Sequence, residues 1–201
     1  MKRLLIISAV VMLASSISMA AILDSAHDLS TGTTGIGSEI CVFCHTPHQA
    51  QAVSPLWNHT LSSATYVMYG SGSTTLQNAP TIFDGGDNVI SALCLSCHDG
   101  TVAVGSIAHN YDNTAGANLN GYGVITGDGN VGTNLANDHP INMTYGGTGI
   151  GLNDATTITS VLYGDTVQCA SCHEVHNESA NGFLLRVANT NSDLCTDCHN
   201  K

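Results

Sequence analysis

Basic residues are nearly absent. The chain of 201 residues carries only four lysines and arginines against fifteen acids. A surface this acidic offers no basic face to nucleic acid or to anionic lipid. Large aromatic side chains are also scarce, with one Trp and three Phe. Charged residues of both signs together make up only 9%, so charge repulsion does not argue for disorder. Even so, a chain rich in Gly, Ser, Thr and Asn buries too little apolar surface of its own to offset the conformational entropy of folding. Something besides side chains has to supply the core.

Long apolar runs are missing after the N-terminus. Met-Lys-Arg opens the chain, an apolar stretch runs from Leu4 to about Ala14, and Ser15 to Ala20 is small and polar. A charged start, an apolar middle and small residues at Ser18 and Ala20 read as a secretory signal peptide over 1–20. The apolar stretch is shorter than the roughly 20 residues a membrane span needs. No cysteine follows the expected cut, which argues against a lipid anchor. Lys2 and Arg3 leave with the leader, so 21–201 retains Arg186 and Lys201 against all fifteen acids, a net charge near −13.

Cysteine is what the chain does have. All eight cysteines fall in one pattern: Cys41-Val-Phe-Cys44-His45, Cys94-Leu-Ser-Cys97-His98, Cys169-Ala-Ser-Cys172-His173 and Cys195-Thr-Asp-Cys198-His199. Cys-x-x-Cys-His is the attachment signature of c-type haem. The two thiols bond the two vinyl groups of the porphyrin, and the histidine is carried beneath the ring to ligate its iron. Zinc sites also use Cys-x-x-Cys pairs but do not require the histidine. A disulfide framework needs long-range staples rather than four local pairs. The sequence therefore implies four covalent haems, whose apolar faces replace the missing core, and an apoprotein that is largely unfolded.

Each iron has a second axial position. Beyond the proximal His45, His98, His173 and His199, six histidines remain: His27, His48, His59, His109, His139 and His176. The only methionines after the leader are Met68 and Met143. Bis-His ligation is thus the economical reading, and it implies lower potentials than Met/His ligation. His48 and His176 each follow a proximal histidine by three residues, too near to fold back over its own haem. They are assigned to neighbouring haems, His48 to the second and His176 to the fourth. For the other two places His27 and His139 are favoured, the latter stiffened by Pro140, with His59 and His109 as alternatives. A surplus of ligands and a single arginine after the leader speak against an open, catalytic iron, so no enzymatic activity is expected.

The expected fold is mostly irregular chain wrapped round a haem stack, with short helices at the haem motifs and a few short strands. Helical signals cover Asn88 to His98, and Ser192 or Asp193 is placed to cap a final turn into Cys195. Short alternation at Tyr122 to Ile125 and Thr156 to Tyr163 suggests strands. One structural unit is expected, with a haem-pair module at 27–108, a Gly/Asn-rich connector at 109–137 and a second module at 138–201. Asp128-Gly-Asn lacks the ligand spacing of a calcium loop and reads as turn chemistry. Three Asn-x-Ser/Thr triplets begin at Asn58, Asn142 and Asn177 and are expected to be unmodified.

The string Cys41-Val-Phe-Cys44-His45-Thr-Pro-His48, followed by Pro55-Leu-Trp-Asn58, resembles the doubled-CXXCH multihaem cytochromes. His27-Asp-Leu-Ser and Asn137-Asp-His139-Pro are similar to that family's phrases. Its tetrahaem extracellular filament-forming members are the nearest in kind. That resemblance implies a homopolymer with a continuous haem stack, in which an N-terminal histidine such as His27 ligates a haem of the neighbouring subunit. The expected function is therefore electron transfer through four haems, as a polymeric extracellular conduit for respiratory electrons. A monomeric periplasmic or cell-surface carrier between protein partners is the alternative.

Overall fold

The computed structural model describes residues 22–31, 39–52, 56–70, 89–109, 119–146, 151–176 and 181–200. The expected leader, the start of the connector and the Asn177 triplet lie outside the described residues. Every Cys-x-x-Cys-His motif lies within them, and each is one helical turn. The amide of His45 donates to the carbonyl of Cys41 at 2.8 Å, that of His173 to Cys169 at 3.1 Å, and that of His199 to Cys195 at 2.8 Å. A turn of this kind puts the two cysteines, three residues apart, on one side of the helix. That is the arrangement two vinyl groups of one porphyrin require.

Around the second motif the turn grows into a ten-residue helix, α1, Val89–His98. Leu95 is 1% exposed and packs with Tyr66, Met68 and Leu135 in one of two small apolar clusters. Gly100, at φ +73°, follows the helix in the left-handed conformation that glycine adopts without penalty. A Cβ there would lie 2.3 Å from the Asn130 amide. The other cluster joins Phe43, Ile107 and Leu119, beside the first motif. Helix α2, Cys169–Cys172, and helix α3, Asp193–Cys198, carry the third and fourth motifs. Asp193 lies in the first turn of α3; Ser192 stands at its N-cap with φ +69° and makes no capping bond through its side chain.

Sheet is minimal. Strand β1, Met143–Thr144, pairs antiparallel with β2, Thr166–Val167, in the register Met143 to Val167 and Thr144 to Thr166. The strands expected at 122–125 and 156–163 do not form. Gly123 uses its carbonyl for one isolated bond, from the Val104 amide at 3.0 Å; residues 156–162 form turns, bends and coil, and Tyr163 makes one isolated bridge to Thr166. Neither segment has a neighbour long enough to build a ladder. The described connector holds two single 3₁₀ turns, Leu119–Gly121 and Gly127–Gly129.

The halves of the chain meet at a buried polar seam between α1 and α2. Gln168, 1% exposed, accepts hydrogen bonds at its side-chain oxygen from the amide of Ser91 at 3.1 Å and from the Ser91 hydroxyl at 2.5 Å. The Ser91 hydroxyl oxygen in turn accepts from the Cys169 amide at 3.0 Å. This seam joins the second and third motifs directly.

Candidate haem sites

Three motifs share one framework. In the first, the amide after the proximal histidine, Thr46, donates to the Leu56 carbonyl at 2.8 Å, and the Asn58 amide returns a bond to Cys44 at 2.9 Å. The third repeats it, with Glu174 donating to Leu184 at 2.7 Å and Arg186 to Cys172 at 2.8 Å. In the fourth, Asn200 donates to Gly151 and Asn153 to Cys198, both at 2.8 Å. Each framework has a side-chain latch onto the carbonyl just after the first cysteine. Asn58 Nδ2 donates to Val42 at 2.7 Å, Arg186 Nε to Ala170 at 2.7 Å, and Asn153 Nδ2 to Thr196 at 2.9 Å. Each proximal histidine thereby leaves its turn in extended conformation, bridged to Trp57, Leu185 or Leu152. The ring stands clear of the cysteine turn instead of continuing round the helix.

His98 is held differently, because α1 runs straight into it. Its Nδ1–H donates to the carbonyl of Gly129 at 2.7 Å, so the glycine turn of the connector positions this ring. His173 donates in the same way to Phe183 at 2.9 Å, and His139 to Pro140 at 3.0 Å. A ring nitrogen that donates to a backbone carbonyl fixes the tautomer and leaves the Nε2 lone pair for a metal. Phe183 and Leu184 both have positive φ, +47° and +56°. The strained turn they form is what brings the Phe183 carbonyl to His173.

Histidine rings meet in pairs. His45 and His176 are stacked with centres 6.1 Å apart and planes at 24°. His98 and His27 lie 6.0 Å apart, and His199 and His139 lie 6.3 Å apart. A metal bonded to one nitrogen of each ring at about 2.0–2.1 Å holds the ring centres roughly 6 Å apart. Each pair combines one Cys-x-x-Cys-His histidine with one of the six others. Among the described residues no three His, Cys, Asp or Glu side chains converge as a bare-metal site; the imidazoles come in twos, as a porphyrin iron requires. All eight cysteines are free thiols. Buried donors without a partner, Trp57 Nε1 beside His45 and Asn142 Nδ2 three residues after His139, suit the propionates of a bound porphyrin. The residues present fit the haem.

Charge states agree with ligation. Burial, and after it the neighbouring His98, His173 and His176, lowers the pKa of His27. Burial and then His176 do the same to His45. Both rings are held in the neutral form that binds metal. Burial pushes the thiols of Cys44 and Cys97 up to about 11 and about 12, so these sulfurs are protonated in the haem-free chain.

The ring contacts differ from the expected assignment of ligands. His176 faces the histidine of the first motif, not that of the fourth, which faces His139. The histidine of the second motif faces His27, not His48. His27 lies beside His98 within its own chain. His48 is exposed on the turn after His45. His59 is 1% exposed and its Nε2 lies 3.1 Å from the Ala103 carbonyl and 3.4 Å from Cys97 Sγ. Donation to that carbonyl spends the Nε2 nitrogen. His109 is half-buried, its backbone clamped in both directions by the Asn58 side chain at 2.9 and 3.0 Å. Met68 is 4% exposed inside an apolar cluster. Asn58 and Asn142 are 0% and 2% exposed, so neither side chain is open to a glycan.

The latches escaped the sequence reading. Their trace there is only a short apolar phrase ending in Asn or Arg: Leu56-Trp57-Asn58, Leu184-Leu185-Arg186 and Gly151-Leu152-Asn153.

Cysteine pairs on helical turns, each followed by a histidine, with three of those histidines facing a second imidazole, define a c-type haem-binding protein. Residues 164–201, which contain the third and fourth motifs, match the family model for the doubled CXXCH motif. That match, confined to the last part of the chain, supports a haem-binding electron carrier of the multihaem c-type kind. Among curated proteins none matches the chain. No helix among the described residues is long and apolar enough to cross a membrane.

Proposed function

We propose that this protein carries electrons through four covalent haems, each bound between two histidines. The facing of three motif histidines with three others at 6.0–6.3 Å carries the reading. When bound, the haems supply the one-electron chemistry. The chain's part is to attach them, hold both imidazoles neutral and oriented, and close the axial positions. Proximal ligands are His45, His98, His173 and His199. His27, His139 and His176 are distal ligands, and His48 is the fourth. Two imidazoles per iron and no methionine ligand set potentials below those of Met/His cytochromes.

The protein works outside the cytoplasm, after removal of 1–20, as a homopolymeric conduit that delivers respiratory electrons to an external acceptor. Two features favour lasting contact between copies over transient docking. Charged patches that steer brief encounters are scarce in a chain with 9% charged residues. Apolar side chains stand open beside the haem motifs, with Phe183 91% and Leu56 50% exposed. A head-to-tail contact that does not close generates a filament. Electron microscopy of haem-staining material sheared from cells tests this. Thin filaments built of this chain are expected; discrete monomers across salt and concentration would leave a monomeric carrier between protein partners.

A further inference from the structure

The third motif carries a charged pair where the first has none. Their frameworks match: the residue after the proximal histidine donates its amide to a leucine carbonyl, Thr46 to Leu56 and Glu174 to Leu184. Two places beyond that leucine, Asn58 or Arg186 latches the carbonyl after the first cysteine. Thr46 and Asn58 are neutral, and the framework closes with them. At the corresponding places the third motif has Glu174 and Arg186. Arg186 is the one arginine of 21–201, and its guanidinium meets Glu174 Oε2 at 2.6 Å. A partly exposed ion pair adds little to stability, so the framework itself does not require the carboxylate.

The other oxygen of Glu174 faces a ring. Oε1 accepts from the His176 amide at 3.2 Å and stands 3.6 Å from His176 Nδ1. Arg186 thus holds one carboxylate oxygen while the other is presented to His176. In the first motif the same place presents no charge, and the Thr46 hydroxyl donates to the His48 carbonyl at 2.8 Å. The rings of His98, His173 and His139 have backbone carbonyls at Nδ1, those of Gly129, Phe183 and Pro140. His176 has a carboxylate there instead. With Nδ1 on that side, Nε2 is the nitrogen left for a metal. The ring is stacked on His45 of the first motif, with centres 6.1 Å apart.

A carboxylate at the far nitrogen makes an imidazole a stronger ligand. Its charge favours the more positive, ferric state of the iron that the ring serves, and so lowers the potential. We propose that Glu174 is a positioning residue that sets, through His176, the potential of the haem on Cys41 and Cys44. The inference rests on the reading above in which His45 and His176 share one iron. It makes a side chain of the third motif's framework act on the iron of the first, across the two halves of the chain.

Potentiometric titration of the purified, fully haem-loaded protein, followed by visible absorbance, tests this. Glu174→Gln is expected to raise the potential of one haem of the four. A shift of about tenfold toward the ferrous state, the low end of what outer-shell changes cost, is about 59 mV for one electron. In a His176→Ala background the same substitution should move no potential further, because the carboxylate acts through that ring. Unchanged potentials in Glu174→Gln would overturn the proposal. So would a shift of the same size in the His176→Ala background, which would mark a field on the third haem instead. Should Glu174→Gln fail to fold, Glu174→Asp carries the test. It keeps the charge for Arg186 but withdraws it from His176 by one methylene, and it should raise the same potential by less; potentials identical to the unaltered protein would count against the role. Low-temperature EPR separates the two levels. His176→Ala that leaves every iron low-spin defeats the shared iron of His45 and His176. One high-spin iron in His176→Ala, with Glu174→Gln leaving all potentials in place, defeats only the part given to Glu174.

Discussion

Asn58 shows how much a single side chain can hold. It is fully buried and ties its own segment to two others: the turn of the first motif at Val42, and His109 through both its amide and its carbonyl. Asn58→Ala leaves those groups unpaired at a cost of about 1–3 kcal/mol. Denaturant unfolding of the haem-loaded protein should show that loss, and a variant with an unchanged midpoint would mean the latch is idle. A second residue-scale pair, Tyr66 and Asp99, sets a pH window. The Tyr66 hydroxyl donates to Asp99 at 2.6 Å. Burial and then this partner raise the phenol to about 12. Burial pushes the Asp99 carboxyl up, but hydrogen bonds from Ser62, Tyr66 and Thr101 outweigh it and hold the carboxyl below its usual value of 3.8. A lowered carboxylate stabilises the fold above pH 3.8, and that contribution is lost as pH falls through the folded value. A raised phenol stabilises it below pH 10, and that contribution is lost as pH climbs toward about 12. Unfolding midpoints should therefore drop at both ends, and Tyr66→Phe should flatten the alkaline drop. An identical alkaline drop in Tyr66→Phe would assign it to other groups. The four Cys-x-x-Cys-His turns were legible in the sequence because their spacing is local. The pairing of rings was not, because His45 and His176 lie in opposite halves of the chain and spacing carries no information on which turns touch.

At the scale of elements, α1 was readable from its apolar residues and its entry into Cys94. The two-residue strands were not, because nothing in so short a run distinguishes it from the alternation at 122–125. Nor was the use of the glycine turn Gly127–Gly129, which reads as punctuation but supplies the carbonyl that orients His98. The seam of Ser91 and Gln168 was likewise invisible, since a buried polar bond between residues far apart leaves no periodic trace. It is expected to be costly to disturb. Gln168→Leu removes the acceptor for the Ser91 amide and hydroxyl and should destabilise by about 1–3 kcal/mol. The loss should fall on contact between the second and third haems, seen as weakened exciton coupling in the Soret circular dichroism with haem content unchanged. Full coupling in that variant would show that the seam does not set the spacing.

For the molecule as a whole, two small apolar clusters and a two-stranded sheet among the described residues are a slight framework. On the proposed reading, thioether bonds and axial ligands that join distant segments supply the rest. Replacing all eight cysteines with serine should therefore yield a chain with little fixed structure by near-ultraviolet circular dichroism. A cooperative, native-like unfolding transition in that variant would show that side chains suffice. The composition points the same way, through the shortage of large apolar residues beside eight cysteines. The order in which the chain threads between haems was not legible, because it follows from contacts between turns rather than from any one of them.

The most direct test of the central claim is the intact mass of the exported protein, read together with its EPR spectrum. The account predicts the chain 21–201 carrying four haems, one on each Cys-x-x-Cys-His motif, with every iron low-spin in the oxidised state. Unmodified cysteines, fewer haems than motifs, or a substantial high-spin signal from the resting protein would contradict it.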